Sequence, residues 1–266
     1  MKKKEILVKV NAWGASHRGN LRVHNEDNIY VDGIFRDELS EDNILIHSRR
    51  RASPYVYAVF DGLGGEACGE EASLIAALGL KAMEDINAAS DIETYVTAAH
   101  KAIINESVRK NAPNMGTTVA SVQIFDDHAT VFNVGDSRVY LYRDNMLTQI
   151  SRDHSVVQSL IDRGLLKEEE RHTSRYAGEL TQYIGMESDE DIRPQVYKTT
   201  TSIRSGDVFL ICSDGLNDEM SDAQLHDFLE DNSKSGAEAI AAKLIKKATD
   251  GKCIDNLSVI VCKLVN

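Results

Sequence analysis

Proline is nearly absent, with three residues in 266, and tryptophan occurs once. No Pro-rich or Gly/Ser-rich tract and no repeat at a fixed period interrupts the chain, so nothing marks a linker or a solenoid, and residues 1–266 read as one domain. Cysteine is scarce as well: Cys68, Cys212, Cys253 and Cys262 form no C-x-x-C pair, which leaves no zinc spacing and turns attention to hard cations with oxygen ligands. Cys212 and Cys262 stand inside apolar runs and read as buried thiols. No stretch approaches the ~18 to 20 apolar residues of a membrane span, and Met1–Val10 lacks the apolar core of a secretory signal. A cytoplasmic protein with no membrane partner is expected. Positive charge is short by twelve, 30 Lys and Arg against 42 Asp and Glu, which disfavours nucleic acid as a partner and favours cations as guests.

What is present is a 42% hydrophobic share, enough for a sizeable core. Val, Ile, Tyr and Phe enrichment predicts strands over residues 6–13, 28–31, 55–60, 117–125, 129–134, 138–142, 208–212 and 257–264. Apolar spacing at i, i+3 and i+4 predicts helices over 70–86, 92–110 and 237–247. Short turns between successive strands favour antiparallel pairing, giving an α+β chain with sheets and helices in layers. The triple arginine 49–51 before Ser53-Pro54 reads as a solvated surface loop. Residues 153–185, polar and charged, read as a mobile surface element.

Three apolar runs end on an acid: YAVF before Asp61-Gly62, VFNVG before Asp136-Ser137-Arg138, and VFLICS before Asp214-Gly215. Asp255 precedes an apolar strand, and Asn25-Glu26-Asp27 leads into another. Singly, each is explained by turn chemistry. Together they are acids at strand ends, where a scaffold hands side chains to a cleft and where like charges repel unless a cation such as Mg²⁺ or Mn²⁺ is bound. Gly62-Leu63-Gly64-Gly65-Glu66-Ala67 also fits a dinucleotide fingerprint, but Asp61, Glu66, Glu70 and Glu71 around it would repel a pyrophosphate. Glu70 and Glu71 are better placed as favourable charges at a helix N-terminus.

In order along the chain, Arg22-Val-His-Asn25-Glu26-Asp27, Val59-Phe60-Asp61-Gly62-Leu63-Gly64-Gly65, Gly116-Thr117-Thr118, Val134-Gly135-Asp136-Ser137-Arg138, Ser213-Asp214-Gly215-Leu216 and Asp255-Asn256 resemble the motifs of bacterial metal-dependent serine/threonine phosphatases of the protein phosphatase 2C (PPM) type. The resemblance covers nearly the whole chain. It implies an α-β-β-α sandwich of two antiparallel sheets flanked by helix pairs, with two Mn²⁺ or Mg²⁺ ions in a cleft between the sheets. By motif, Asp61 would bridge the ions, Asp214 and Asp255 would complete the first, and Glu26 and the Gly62 carbonyl would serve the second. Asp27 would orient bound waters, and Asp136 with Asp214 would hold a third ion. A water or hydroxide bridging the two metals would attack phosphorus in line, with no phosphoenzyme. Arg22 would clamp the phosphate, because a guanidinium offers a bidentate donor fork.

Some family members carry a histidine where this chain has Leu63, so water is expected to protonate the leaving oxygen; His24 reads as a neighbouring histidine without a catalytic part. Residues 155–185 correspond to the family's flap, with His172 and Arg175 as substrate-facing candidates despite a departure from its H-P-x-R-N-x-L-T form. Residues 35–51 form a longer excursion than the simplest bacterial members carry, read as a decorative loop within reach of a protein partner. The implied activity is hydrolysis of phosphoserine and phosphothreonine in proteins by a monomer, opposing a Ser/Thr kinase. The alternative is a catalytically silent module that binds phosphoproteins, which the presence of Asp61, Asp214 and Asp255 disfavours.

Overall fold

The computed structural model describes residues 9–37, 43–64, 68–85, 91–187 and 193–265. Two six-stranded sheets stack face to face, with every pairing among the described residues antiparallel. The first runs Met146–Gln149, Arg138–Arg143, Val208–Cys212, Leu257–Val265, Lys9–His17, Asn43–His47 from edge to edge. The second runs Tyr197–Ser202, His128–Val134, Val119–Ile124, Tyr55–Phe60, Asn28–Val31, Ile34–Phe35. The helices are α1 (Cys68–Asp85), α2 (Ile92–Lys110), α3 (Val156–Asp162), α4 (Asp214–Glu219), α5 (Asp222–Asp231) and α6 (Ala237–Thr249).

The layering explains why the strand Tyr55–Phe60 is apolar throughout rather than alternating. Side chains on a strand point to opposite faces in turn, and here both faces are covered. Tyr55, Tyr57 and Val59 meet Phe209, Ile211 and Ile260 of the facing sheet. Val56, Ala58 and Phe60 meet Ala76, Leu80, Tyr95 and Ile103 of α1 and α2. On the far side, Leu225, Ile240 and Leu244 of α5 and α6 pack on Leu210, Val259 and Val261. The four-layer α-β-β-α order expected from the resemblance is the observed one.

Local signals agree with the elements they bound. Asp91 caps α2 by accepting from the Thr94 amide at 3.1 Å, and Asn111 ends it at φ 54°, a left-handed position that asparagine tolerates. Glu70 and Glu71 sit in the first turn of α1. Two expectations are corrected. Asn43–His47, inside the supposed decorative loop, is an edge strand on Lys9–His17, while residues 38–42 lie outside the described residues. Arg50, read as part of a solvated loop, pairs with Asp32 at 3.5 Å and with Glu84, and donates to the Pro54 carbonyl at 2.8 Å. The edge strand Tyr197–Ser202 escaped the sequence because YKTTTS carries little apolar signal.

Candidate active site

Strand ends from both sheets meet at a cleft of about 690 Å³. Asp61 follows Tyr55–Phe60, Glu26 precedes Asn28–Val31, Asp136 sits in the connection that crosses from one sheet to the other, Asp214 opens α4, and Asp255 precedes Leu257–Val265. All five carboxylates line the cleft, with Arg22 and Gly62. Asp27 lies directly behind it, fully buried.

The backbone around Asp61 is tied to the next strand: its amide donates to Thr118 Oγ1 at 3.1 Å, and its carbonyl accepts from the Thr118 amide at 2.8 Å and Thr117 Oγ1 at 2.9 Å. Gly62 and Leu63 then pair with Gly116 and Thr117 as a two-residue ribbon. The glycine-rich stretch therefore continues as strand rather than opening a phosphate cradle at a helix, although Gly65, Glu66 and Ala67 lie outside the described residues. Only glycine fits at position 62, since a Cβ there would come within 2.2 Å of the Gly69 carbonyl oxygen and 2.5 Å of that of Glu26. Asn256 braces the opposite lip: its Oδ1 accepts from the Glu26 amide at 2.8 Å, and its Nδ2 donates to the Arg18 and His24 carbonyls at 2.8 and 2.9 Å. Ser213 donates to Asp27 Oδ2 at 2.8 Å and accepts from the Ser258 amide at 2.9 Å.

Crowding dominates the electrostatics. Burial, then Asp214, Asp27, Asp136 and Asp255, push the Asp61 carboxyl far above the usual carboxylate range. Burial and Asp214 do the same to Asp136. Burial lifts Asp27 to about 7 against hydrogen bonds from Ser258 and Ser213, and lifts Asp214 to about 6 with help from Asp255 and Asp218. Glu26 is raised by burial, with Arg22 opposing. Asp27 Oδ1 and Asp214 Oδ1 are buried without a hydrogen-bond partner. Crowded carboxylates with unpartnered oxygens, one at the cleft and one behind it, match the oxygen donors that Mg²⁺ or Mn²⁺ takes. A tighter trio of candidate ligands, His226, Asp227 and Glu230, lies on an exposed face of α5. Its histidine is already engaged by the Asn145 carbonyl and Asp227, so the cleft is the better cation site.

Arg22 Nη2 donates to Asp255 Oδ2 at 2.6 Å, so the candidate phosphate clamp rests on a candidate metal ligand at the cleft rim. His24 is exposed, 3.7 Å from Glu70. Leu63 lines the cleft. The segment 155–185 carries more structure than its polarity suggested. Ser155 caps α3, a 3-10 helix spans Glu168–Thr173, and isolated bridges join Ser155 to Leu180 and Thr117 to Ile184. His172 lines the cleft, 3.7 Å from Asp218 of α4. Arg175 does not line it: its guanidinium lies over the Tyr176 ring, 4.5 Å from the centroid. Arg171, which the sequence did not single out, is buried and does line it. Arg171 bonds Gln158 at 2.7 Å and Asp153 at 3.3 Å, and Asp153 also takes a forked bond from Arg138 at 2.7 to 3.1 Å. The only sequence signal for this network was Arg138, the last residue of its motif.

Two stacked antiparallel sheets with helix layers outside and a carboxylate-lined cleft at their strand ends define the class as an α-β-β-α sandwich with a candidate oxygen-ligand metal site. A model of the protein phosphatase 2C family matches residues 34–248, and the chain belongs to that family. It is 30% identical over 256 residues, 94% of its length, to the serine/threonine protein phosphatase PstP of Mycobacterium tuberculosis, and spans only 44% of that relative's length. It is 28% identical to the serine/threonine phosphatase stp of Listeria welshimeri, covering 92% of each chain. Its fold is similar to the crystal structure of the PstP catalytic domain in complex with two manganese ions, at TM-score 0.77 and 28% identity over 97% of this chain and 100% of that one. No helix among the described residues is long and apolar enough to cross a membrane.

Proposed function

We propose that the protein hydrolyses phosphoserine and phosphothreonine monoesters in protein substrates, including those made by a Ser/Thr kinase, and that it acts as a cytoplasmic monomer. The carrying observation is the convergence of Glu26, Asp61, Asp136, Asp214 and Asp255 on one cleft, with partnerless oxygens on Asp27 and Asp214 and a guanidinium at the rim. Asp61, Asp214 and Asp255 would hold one ion. Asp61, Glu26 and the Gly62 carbonyl would hold the second, with Asp136 and Asp214 available to a third. Bound there, Mn²⁺ or Mg²⁺ would supply the Lewis acidity that makes a water nucleophilic and offsets charge on the phosphoryl oxygens.

The chain's own groups set the geometry. Asp61 is fixed by the three bonds of its backbone to Thr117 and Thr118. Asp27, held through Oδ2 by Ser213, has an unpartnered Oδ1 within the field of Asp214 and Asp255 and would orient water. Arg22, drawn off Asp255, has the reach and donor fork to hold two phosphate oxygens. With Leu63 in the cleft, solvent protonates the leaving oxygen.

The test is inorganic phosphate release from a phosphothreonine peptide with Mn²⁺, with Mg²⁺ and with excess chelator, alongside Asp61→Asn. Turnover is expected only with metal and only with Asp61 intact. Equal activity in chelator, or in the variant, would refute the reading. Metal binding without phosphate release under any condition would make the protein a phosphoprotein-binding module instead.

A further inference from the structure

Three of the ten large hydrophobic residues that are exposed among the described residues stand on the two segments that meet at one lip of the cleft: Leu21 at 71%, Val23 at 73% and Ile254 at 49%. Single exposed aliphatics are ordinary, but a cluster beside a binding cleft is not. Leu21 and Val23 are the chain neighbours of Arg22, and Ile254 is that of Asp255, so the Arg22–Asp255 ion pair ties together the two segments that carry them. Ile254 itself lines the cleft, as does Lys252.

The lip is two chain segments bonded into one body. The Asn20 amide donates to the Cys253 carbonyl at 2.7 Å, and the Asn20 side chain donates to the carbonyls of Thr249, Gly251 and Lys252 at 3.0 to 3.3 Å. Glu219 holds the same turn from below through the Lys252 and Cys253 amides at 3.2 and 2.7 Å. Gly19, at φ 80°, lets the segments touch, since a Cβ there would lie 2.1 Å from the Asp255 carbonyl oxygen. Cys253 is held at φ 40°, a conformation a side-chain-bearing residue adopts only where its surroundings impose it. A rigid apolar surface loses little entropy when it binds, which suits it to recognition.

We propose that this lip is a subsite for the protein substrate that receives an apolar side chain adjacent to the phosphorylated residue. The inference rests on the phosphatase reading and deepens it. The occupant follows from continuity with the cleft: a phosphate seated at Arg22 places the neighbouring residues of its own chain over Leu21, Val23 and Ile254. Arg22, paired with Asp255 until a phosphate takes its place, and Lys252 are the cationic groups this lip offers to a phosphorylated segment, in a chain of net charge −12. The preferred substrates are therefore phosphothreonine or phosphoserine next to leucine, valine or isoleucine, with small polar neighbours disfavoured.

The experiment compares kcat/KM with Mn²⁺ on two peptides, phosphothreonine flanked by leucine and valine and phosphothreonine flanked by serines. It uses the wild type, the triple variant Leu21→Ser, Val23→Ser, Ile254→Ser, and Ile254→Leu. The wild type is expected to prefer the apolar peptide about tenfold, in the range a few buried methylenes give. The triple variant should lose the preference with p-nitrophenyl phosphate turnover unchanged, and Ile254→Leu should keep it. No preference in the wild type, or an undiminished preference in the triple variant, overturns the proposal. A fall in sedimentation coefficient on substitution with the peptide preference intact would assign the lip to a second copy of the chain, and also overturns it. If neither peptide nor p-nitrophenyl phosphate is hydrolysed, the phosphatase reading fails by itself. The lip is then decided by fluorescence anisotropy of the two labelled peptides, tenfold tighter binding of the apolar one supporting it and equal binding refuting it.

Discussion

Replacing Asp214 by asparagine in the metal-free protein tests the electrostatic account of the cleft. Burial and the charges of Asp255 and Asp218 raise its carboxyl from 3.8 to about 6. At about 1.4 kcal/mol per pH unit, ionising it in the fold at neutral pH costs about 3 kcal/mol relative to the unfolded chain. Because Asp214 opens on the cleft, solvent screening brings this nearer 1.5 kcal/mol. The sign follows from proton counting. Between pH 4 and 6 the folded state keeps a proton that the unfolded state has lost, so the wild type loses stability as pH rises through this window. The loss is complete above about 6, and Asp27, raised to about 7, extends the decline by a further pH unit. Asn carries no charge to penalise. In chelator at pH 7.5 the variant should melt roughly 3 to 6 °C above the wild type, the gap closing toward pH 4, while added Mn²⁺ should stabilise the wild type more than the variant. Thermal melts across pH with and without chelator decide it. A variant less stable than wild type in chelator at pH 7.5, or a gap that does not change with pH, would refute the reasoning.

Three further outcomes are expected. Arg22→Ala should raise KM for a phosphothreonine peptide about tenfold while the Mn²⁺ dissociation constant, read by calorimetry, moves far less; an equal change in both would place Arg22 with the metal ligands. Asp153→Ala removes the shared acceptor of Arg138 and Arg171 and leaves Arg138 only Tyr140 and Asp222 as partners while Arg171 keeps Glu168 and Gln158, so denaturant unfolding should show a loss of about 2 to 3 kcal/mol. Gly62→Ala drives a methyl into the Gly69 and Glu26 carbonyls, and Mn²⁺ binding should weaken at least tenfold even where circular dichroism shows the fold retained.

The sequence by itself determined much of this protein. Apolar runs ending on acids are local features, and they located Asp61, Asp136 and Asp214 because a strand that leaves the core must hand its next side chain to the surface. Helix periodicity fixed α1, α2 and α6 for a similar reason, since the buried face repeats with the helical turn. The tertiary structure alone decided which of these acids share a cleft and which stands behind it. Asp27 is adjacent to Glu26 in sequence yet fully buried against Ser213, a partner 186 positions away in the chain that only the fold brings to it. It also moved the flap's guanidinium of interest from Arg175, stacked on Tyr176, to Arg171, a choice that depends on Asp153 and Gln158 arriving from outside the motif. The apolar lip was hidden for the same reason. Leu21 and Val23 stand more than 200 positions from Ile254 in the chain, and hydrogen bonds from Asn20 and Asn256 help bring their segments to one edge.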